Sequence, residues 1–304
     1  MIFGISSFVG SNLAEVLKDE FRVIGTYHKT PVNIPGVTCF PCDVMKKDYV
    51  NRLIGIVKPH FSIYAAGLSS LTVCKNKPKL AEALNSSGAA NVCSASERFN
   101  AKFVYLSSAF VHGGESHVYS EGDTPFPTTA YGNSLSSAEF YVQRSCLNYL
   151  ILRCGNLYGR SFGSKHPNWF EFLERSLTRG EKFSADDSVK AGYLDIHILA
   201  MILKRALSEN VTNRLLQVSS ADVASRFDFG LAYAKVFRQD EGLLQKTTVP
   251  FPLERKPGKE SVQDISFHLG VTNIEEFLGT KMPTIEESLA FTRKRLETFT
   301  AKSS

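Results

Sequence analysis

The sequence predicts an α/β fold, a doubly wound parallel sheet joined to a smaller C-terminal α/β lobe, on three observations. Short apolar runs alternate with helix-length amphipathic segments through residues 1–153, as repeated strand–helix–strand units require. The first run passes through a glycine-bearing turn, FGISSFVGSNL, directly into the first amphipathic segment. After residue 153 the alternation loosens with no linker, internal repeat or low-complexity stretch, so the second lobe is expected to be intertwined with the first.

Taken in order, residues 1–3 form a strand stub, short against the average strand of about five or six residues. Residues 11–18 have the apolar spacing of a helix. Residues 22–26 and 37–40 read as the next strands, followed by a helix over 47–57. A strand at 61–65 leads to one long helix over 79–99. Residues 103–107 form a strand, 131–146 a helix and 149–153 a strand. Beyond these, 167–179 is an aromatic-rich helix, 196–208 a helix, 215–218 a strand and 228–237 a helix. Pro250, Pro252 and Pro257 mark a loop, and 285–299 is the final helix. Crossovers between parallel strands should be right-handed. The chain thus divides into a sheet-bearing domain, residues 1–155 with 194–220, and a lobe, residues 156–193 with 221–304.

The 304 residues are 43% hydrophobic and 21% charged, the balance of an ordinary soluble protein, with a net charge of +5. The basic residues are scattered. The clusters at Lys75, Lys77 and Lys79 and at Arg293–Arg295 are too short to argue for nucleic acid and read as solvated faces. No apolar run approaches the roughly 20 residues needed to cross a membrane. The N-terminus lacks the basic start and apolar stretch of a signal peptide. Six cysteines in no framework pattern point to reduced thiols and a cytoplasmic location. Cys39 and Cys42 spell a C-x-x-C, which fits a redox pair or half of a zinc site. With no second pair and no helix N-terminus there, structural thiols are expected.

The turn after the first strand places Gly4 and Gly10 as the outer glycines of a G-x-x-G-x-x-G motif. The first permits a tight turn, and the last permits close strand–helix packing. The bare helix N-terminus, opening near Phe8, can then face a pyrophosphate. The middle position is Ser7, whose hydroxyl could donate to phosphate or whose Cβ could push the cofactor away. The second strand ends GTYHK, without the acid that an NAD ribose usually meets. His28 and Lys29 suit either a 2′-phosphate or open solvent. Asp43, beside Val44 after the third strand, could accept a hydrogen bond from an adenine amino group.

At the chemical end, FVYLSSAFVHGG puts Ser107 and Ser108 at the C-terminal end of a strand, where open α/β sheets bind ligands. Tyr131 begins a helix. Two hydroxyls from a strand end and a helix start can converge on one carbonyl, the serine orienting it and the tyrosine protonating it. His112, Glu115 and His117 could be imagined as a metal cluster, but a loop of solvated imidazoles is expected. Trp169, Phe170 and Phe172 could stack on a substrate, although packing against the lobe core is expected.

These stretches resemble the extended short-chain dehydrogenases/reductases, and within them the dTDP-4-dehydrorhamnose reductase-like, sugar-nucleotide-binding branch. The resemblance rests on Gly4–Gly10, Asp43, YAAG at residues 64–67, Asn85, YLSS at 105–108, and YGNS at 131–134 with Glu139. It continues through LILRCGNLYG at 150–159, ADDSVKAGYLDIHILA at 185–200 and MPTIEESL at 282–289. It implies a Rossmann-like sheet and cofactor contacts from Gly4, Gly10, Asp43, Ala65 and Ala66, to which the adjoining Ser7, Phe8, Val44 and Gly67 and the nearby Tyr131 are added as candidates; the missing acid after the second strand, with His28 and Lys29 there instead, predicts NADP(H) favoured over NAD(H). It implies Ser108 and Tyr131 as catalytic hydroxyls, no metal, a nucleotide-sugar substrate and a homodimer. It also implies that residues 167–179 and 182–193, Trp169 and Lys190 included, line a cleft facing the hydroxyls.

Three positions depart from the family pattern: Ser7, Ala109 in place of an acid, and Leu135 in place of the lysine four residues after the tyrosine. That lysine holds the nicotinamide ribose and lowers the tyrosine pKa from about 10. Without it tyrosinate is scarce near neutrality, whereas protonated tyrosine remains available. Reduction survives better than oxidation. Two functions follow: a nucleotide-sugar reductase with an impaired site, or a non-catalytic, cofactor-binding regulatory or partner subunit.

Overall fold

The computed structural model describes residues 1–162, 167–249, 251–252 and 265–303, with side chains through residue 298. In chain order, β1 (Ile2–Phe3) leads into α1 (Phe8–Leu17), β2 (Ile24–Tyr27), β3 (Thr38–Pro41), α2 (Lys47–Val57) and β4 (Phe61–Tyr64). A short α3 (Leu71–Asn76) precedes α4 (Pro78–Ala81), a π-turn at Glu82–Ser87 and α5 (Gly88–Arg98). Next come β5 (Lys102–Ser108), β6 (Val118–Tyr119), α6 (Ala130–Ser145), β7 (Tyr149–Cys154) and β8 (Asn156–Tyr158). They are followed by α7 (Trp169–Thr178), β9 (Phe183–Asp186), β10 (Val189–Ala191), β11 (Tyr193–Asp195), α8 (Ile196–Ser208) and β12 (Arg214–Val218). The chain ends with α9 (Arg226–Phe237), β13 (Leu244–Thr247), β14 (Ile265–Leu269), α10 (Thr272–Leu278) and α11 (Ile285–Ser303).

Seven parallel strands form the main sheet in the order β12-β7-β5-β4-β1-β2-β3. The chain winds outward from β1 through β2 and β3, then returns to β4 and winds the other way. A topological switch point therefore lies between β1 and β4, the place where such sheets open a crevice at their C-terminal edge.

The strands are apolar without a polar face because both faces are covered. Ile2, Val104, Leu150 and Leu152 pack with Leu13, Leu199 and Leu203 on one side of the sheet. Phe3, Phe103, Tyr105 and Ile151 pack with Val50, Ile54 and Val142 on the other. A separate cluster of Phe170, Leu173, Phe229, Tyr233 and Leu289 forms the core of the lobe.

Helix starts follow local capping chemistry. Thr129 caps α6 through the Gly132 N–H, and Asp195 caps α8 through the His197 N–H. Asn168 with Glu171 and Ser225 with Asp228 form reciprocal capping boxes on α7 and α9.

The doubly wound fold is as the sequence predicts, and α2 and α8 match residue for residue. The expected helix over 79–99 is instead α4, the π-turn and α5 in succession. Helices α3 and α10 and strands β6, β8–β11, β13 and β14 were not foreseen, since elements this short carry too few residues for a period to show. Of the expected proline loop, Pro250 and Pro257 lie outside the described residues.

Candidate active site

The first turn is built on close backbone approach. Gly4 has φ +86°, and a Cβ there would lie 2.6 Å from the Ala66 backbone. A Cβ on Gly10 would lie 2.3 Å from the Gly4 carbonyl oxygen. Ser7 fits without displacing either residue and N-caps α1, its Oγ accepting from the Gly10 N–H at 2.9 Å. The same hydroxyl donates to the Ala65 carbonyl at 3.0 Å, so its proton points into the protein and not toward a ligand phosphate.

Around this turn the strand ends converge. Ala65, Ala66 and Gly67, after β4, line a cavity of about 440 Å³ together with Ser7 and Phe8. The volume lies in the range of small-ligand sites. His28 and Lys29 follow β2 and are exposed, outside the cavity walls. Asp43 follows β3, where its Oδ1 accepts from the Met45 N–H at 3.0 Å. Val44 is buried and belongs to the sheet core.

Asn85, in the π-turn, ties this loop to the next element, a link the sequence reading did not identify. Its Oδ1 accepts from the Leu68 N–H at 2.7 Å, and its Nδ2 donates to the Leu68 carbonyl at 2.9 Å and to Ser134 Oγ at 2.9 Å. Ser134 Oγ in turn donates to the Tyr131 carbonyl at 2.7 Å. The widened turn leaves carbonyls that Tyr64 and Tyr105 satisfy, the Tyr105 hydroxyl donating to the Asn85 carbonyl at 3.0 Å.

Ser108 ends β5 and Tyr131 opens α6; both line the cavity, and the Ser108 hydroxyl lies near enough to Tyr131 to influence its phenol. The Phe110 ring meets Tyr131 edge-on at 5.9 Å. Burial pushes the Tyr131 phenol well above its usual value, and the Cys74 and Cys154 thiols add to this, with the nearby Ser108 hydroxyl opposing. These groups are all neutral at pH 7. One helical turn on from Tyr131, Leu135 is 4% exposed and presents only methyl groups to the cavity. Arg144, further along α6, is exposed and sits over Phe140 at 5.3 Å. Ala109 is buried. The Tyr131 phenol is therefore protonated at neutral pH.

Helix α6 is seated by a buried ion pair. Arg153 on β7 and Glu139 are 2% and 1% exposed, and the guanidinium clasps the carboxylate in a fork with Nη2–Oε2 at 2.8 Å and Nε–Oε1 at 3.0 Å. Tyr131, Leu135 and Glu139 are spaced by four along α6, so one helix face carries the phenol, the apolar plug and the anchor.

His112 joins this pair, which corrects the expectation of solvated imidazoles. It is 1% exposed, stacks on Tyr119 at 4.1 Å between ring centroids and places Nε2 3.5 Å from Arg153 Nη1. His117 and Glu115 are exposed, and among the described residues no metal-binding cluster exists. Burial, then the Arg153 charge, hold the His112 pKa down at about 4, with Asp123 opposing, His117 assisting and Glu115 opposing. The unfolded chain takes up this proton near the usual value of about 6.5. Between those values the unfolded state binds more protons, so stability is full above pH about 6.5 and falls as the pH drops toward about 4. The contribution of this one group should reach on the order of 3 kcal/mol. Thermal melts from pH 7 to pH 4 should show this slope, and His112→Phe should flatten it. An unchanged slope in that variant would assign it to another group.

The lobe closes the cavity. Asn156, Trp169, Phe170, Tyr193 and Arg226 share its walls with Ser108 and Tyr131. Trp169 is thus a cavity residue as well as a packing one, while Phe170 is buried and Phe172 is exposed. Lys190 is exposed on β10, outside the cavity walls. Cys39 and Cys42 are free thiols at the end of β3.

A family model described as the RmlD substrate binding domain matches residues 1–297. The "probable low-salt glycan biosynthesis reductase Agl14" of Haloferax volcanii is 24% identical over 299 residues, 95% of each chain. Methionine adenosyltransferase 2 subunit beta of Rattus norvegicus is 28% identical over 117 residues, 38% of this chain and 35% of that one. In structure, the dTDP-4-dehydrorhamnose reductase of Bacillus anthracis, solved in complex with NADP, superposes with a TM-score of 0.78 at 21% identity. That match covers 97% of this chain and 98% of the other. No helix among the described residues is long and apolar enough to cross a membrane.

Proposed function

The chain belongs to the RmlD substrate binding domain family, and from that premise we propose that it binds NADP(H) and reduces a nucleotide-sugar ketone with an active site weakened at Leu135. The observation that carries this reading is that Ser108 and Tyr131 line one cavity whose far wall is a dinucleotide-type turn. Residues 1–155 with 194–220 serve as the cofactor domain, and 156–193 with 221–304 as the substrate lobe.

The cradle suits the cofactor where it can be tested. Gly4 and Gly10 let the turn close tightly on the Ala66 backbone and the Gly4 carbonyl, where a Cβ would clash, and Ser7 spends its hydroxyl on Gly10 and Ala65. NADPH, when bound, supplies the hydride. Ser108 orients the ketone oxygen, and the Tyr131 phenol, kept protonated by burial, delivers the proton to it. The Asn85 and Ser134 hydrogen bonds hold the start of α6 in register with the loop after β4. The exposed pair His28–Lys29 at the end of β2 provides positive charge where a 2′-phosphate would lie.

One experiment tests both parts. Titration should show NADPH binding about tenfold or more tightly than NADH, and NADPH consumption should begin when a dTDP-, GDP- or UDP-linked 4-keto sugar is added. Equal affinity for the two cofactors would remove the role given to His28 and Lys29. A second reading, a cofactor-binding partner subunit without turnover, draws support from Leu135. It predicts tight NADPH binding with no consumption in the presence of any such sugar.

A further inference from the structure

The lobe end of the cavity holds a charge that the reaction above does not use. Among the described residues lining the cavity, Arg226 alone carries a formal charge. It is the first residue of α9, directly after the Ser225 cap. Its guanidinium lies 5.4 Å above the Trp169 ring, and its charge acts on the neighbouring Tyr193 phenol, which shares the cavity wall. An aromatic face thus supports a planar cation at the wall, with the Tyr193 phenol and the Asn156 amide lining the same cavity.

No carboxylate among the described residues pairs with Arg226 within ion-pair distance. The acids around this helix start are engaged elsewhere, Asp222 accepting from the Ile285 N–H at 2.8 Å. Asp228 accepts from Ser225 Oγ at 2.8 Å, and Asp187 binds Lys246 at 2.7 Å and Ser225 Oγ at 2.9 Å. A guanidinium has five N–H donors in a rigid fork, and stacking on Trp169 occupies its face and leaves the fork free. The geometry that such a fork matches is a phosphate or diphosphate group.

The cofactor's own diphosphate belongs at the α1 turn, on the Ser7 and Phe8 side of the cavity. An anion at Arg226 is therefore a second one and must come from the substrate. We infer that Arg226 anchors the diphosphate of a nucleoside-diphosphate-linked substrate, seated on Trp169 and steered by Tyr193. This inference rests on the nucleotide-sugar reading above and names the residue that selects for it.

The chain's single tryptophan is the one beneath this arginine, so it reports on the site directly. In excess NADP+, which blocks the cofactor site, UDP and dTDP should bind and change Trp169 emission. Uridine and thymidine, lacking the diphosphate, should bind at least about tenfold more weakly. Arg226→Gln should weaken UDP and dTDP binding on the order of 10- to 100-fold while NADP+ binding and the melting temperature stay unchanged. Arg226→Lys should recover part of the loss, because it keeps the charge without the fork. Three results overturn the inference. If Arg226→Gln binds UDP and dTDP as wild type does, Arg226 is not the anchor, and the reductase reading stands. If Arg226→Gln loses NADP+ along with the nucleotides, the residue acts structurally. If wild type with NADP+ bound takes neither UDP nor dTDP, the nucleotide-sugar reading itself falls and the inference falls with it.

Discussion

Leu135→Lys should strengthen NADPH binding and raise ketone-dependent NADPH consumption by about tenfold or more. The side chain at 135 lines the cavity one helical turn from Tyr131, so an ammonium there enters the space the leucine now fills. Each charged hydrogen bond made to the cofactor is worth roughly 1.5–3 kcal/mol, and about 1.4 kcal/mol suffices for a factor of ten. The same charge would draw the Tyr131 pKa down from the raised value that burial imposes. Oxidation of the corresponding alcohol, which needs tyrosinate, should therefore gain more than reduction does, most clearly above pH 8. Tyr131→Phe should abolish turnover in either background and leave cofactor affinity nearly intact. Stopped assays in both directions, with calorimetry for NADPH, would measure all of this. Brisk turnover by wild type, combined with lost affinity in Leu135→Lys, would show that another group already does the lysine's work.

Arg153→Met should cost about 3–5 kcal/mol of stability, because it strands the Glu139 carboxylate in a dry interior. The pair is nearly inaccessible to solvent, and the fork supplies three hydrogen bonds to the two carboxylate oxygens. For a chain of this size that corresponds to a melting temperature lower by roughly 6–20 °C. Adding Glu139→Leu should restore most of it, since apolar replacement of a whole buried pair is close to neutral. A single variant that melts within about 2 °C of wild type would mean that water or a neighbour compensates the carboxylate. The prediction bears on function as well, because the pair fixes the helix that carries Tyr131 and Leu135.

The parts of this protein that local chemistry dictates were legible in the sequence. The parallel sheet was, because strands buried on both faces must be apolar throughout, and their intervening helices must show a period. The boundaries of α2 and α8 followed from the same rule. Ser108 and Tyr131 could be placed because a strand end and a helix start in such a sheet both face the crevice. Gly4 and Gly10 were legible because only glycine permits the backbone contacts that the turn makes.

What only the tertiary structure decided involves partners distant in sequence, for which no periodicity exists. The inward turn of the Ser7 hydroxyl depends on the Ala65 carbonyl, and the burial of His112 depends on Arg153 and Tyr119. The Asn85 bridge needs a π-turn that helix propensity does not announce. The meeting of Arg226 with Trp169 and Tyr193 joins three elements of the lobe, so a lone arginine at a helix start gave no sign of it. Sequence by itself determined the strands of the main sheet, its longer helices and which hydroxyls reach the crevice, because those follow from backbone geometry and local apolar spacing. The charges that surround the crevice were decided by packing, because desolvation and pairing depend on which distant side chains are brought within a few ångströms.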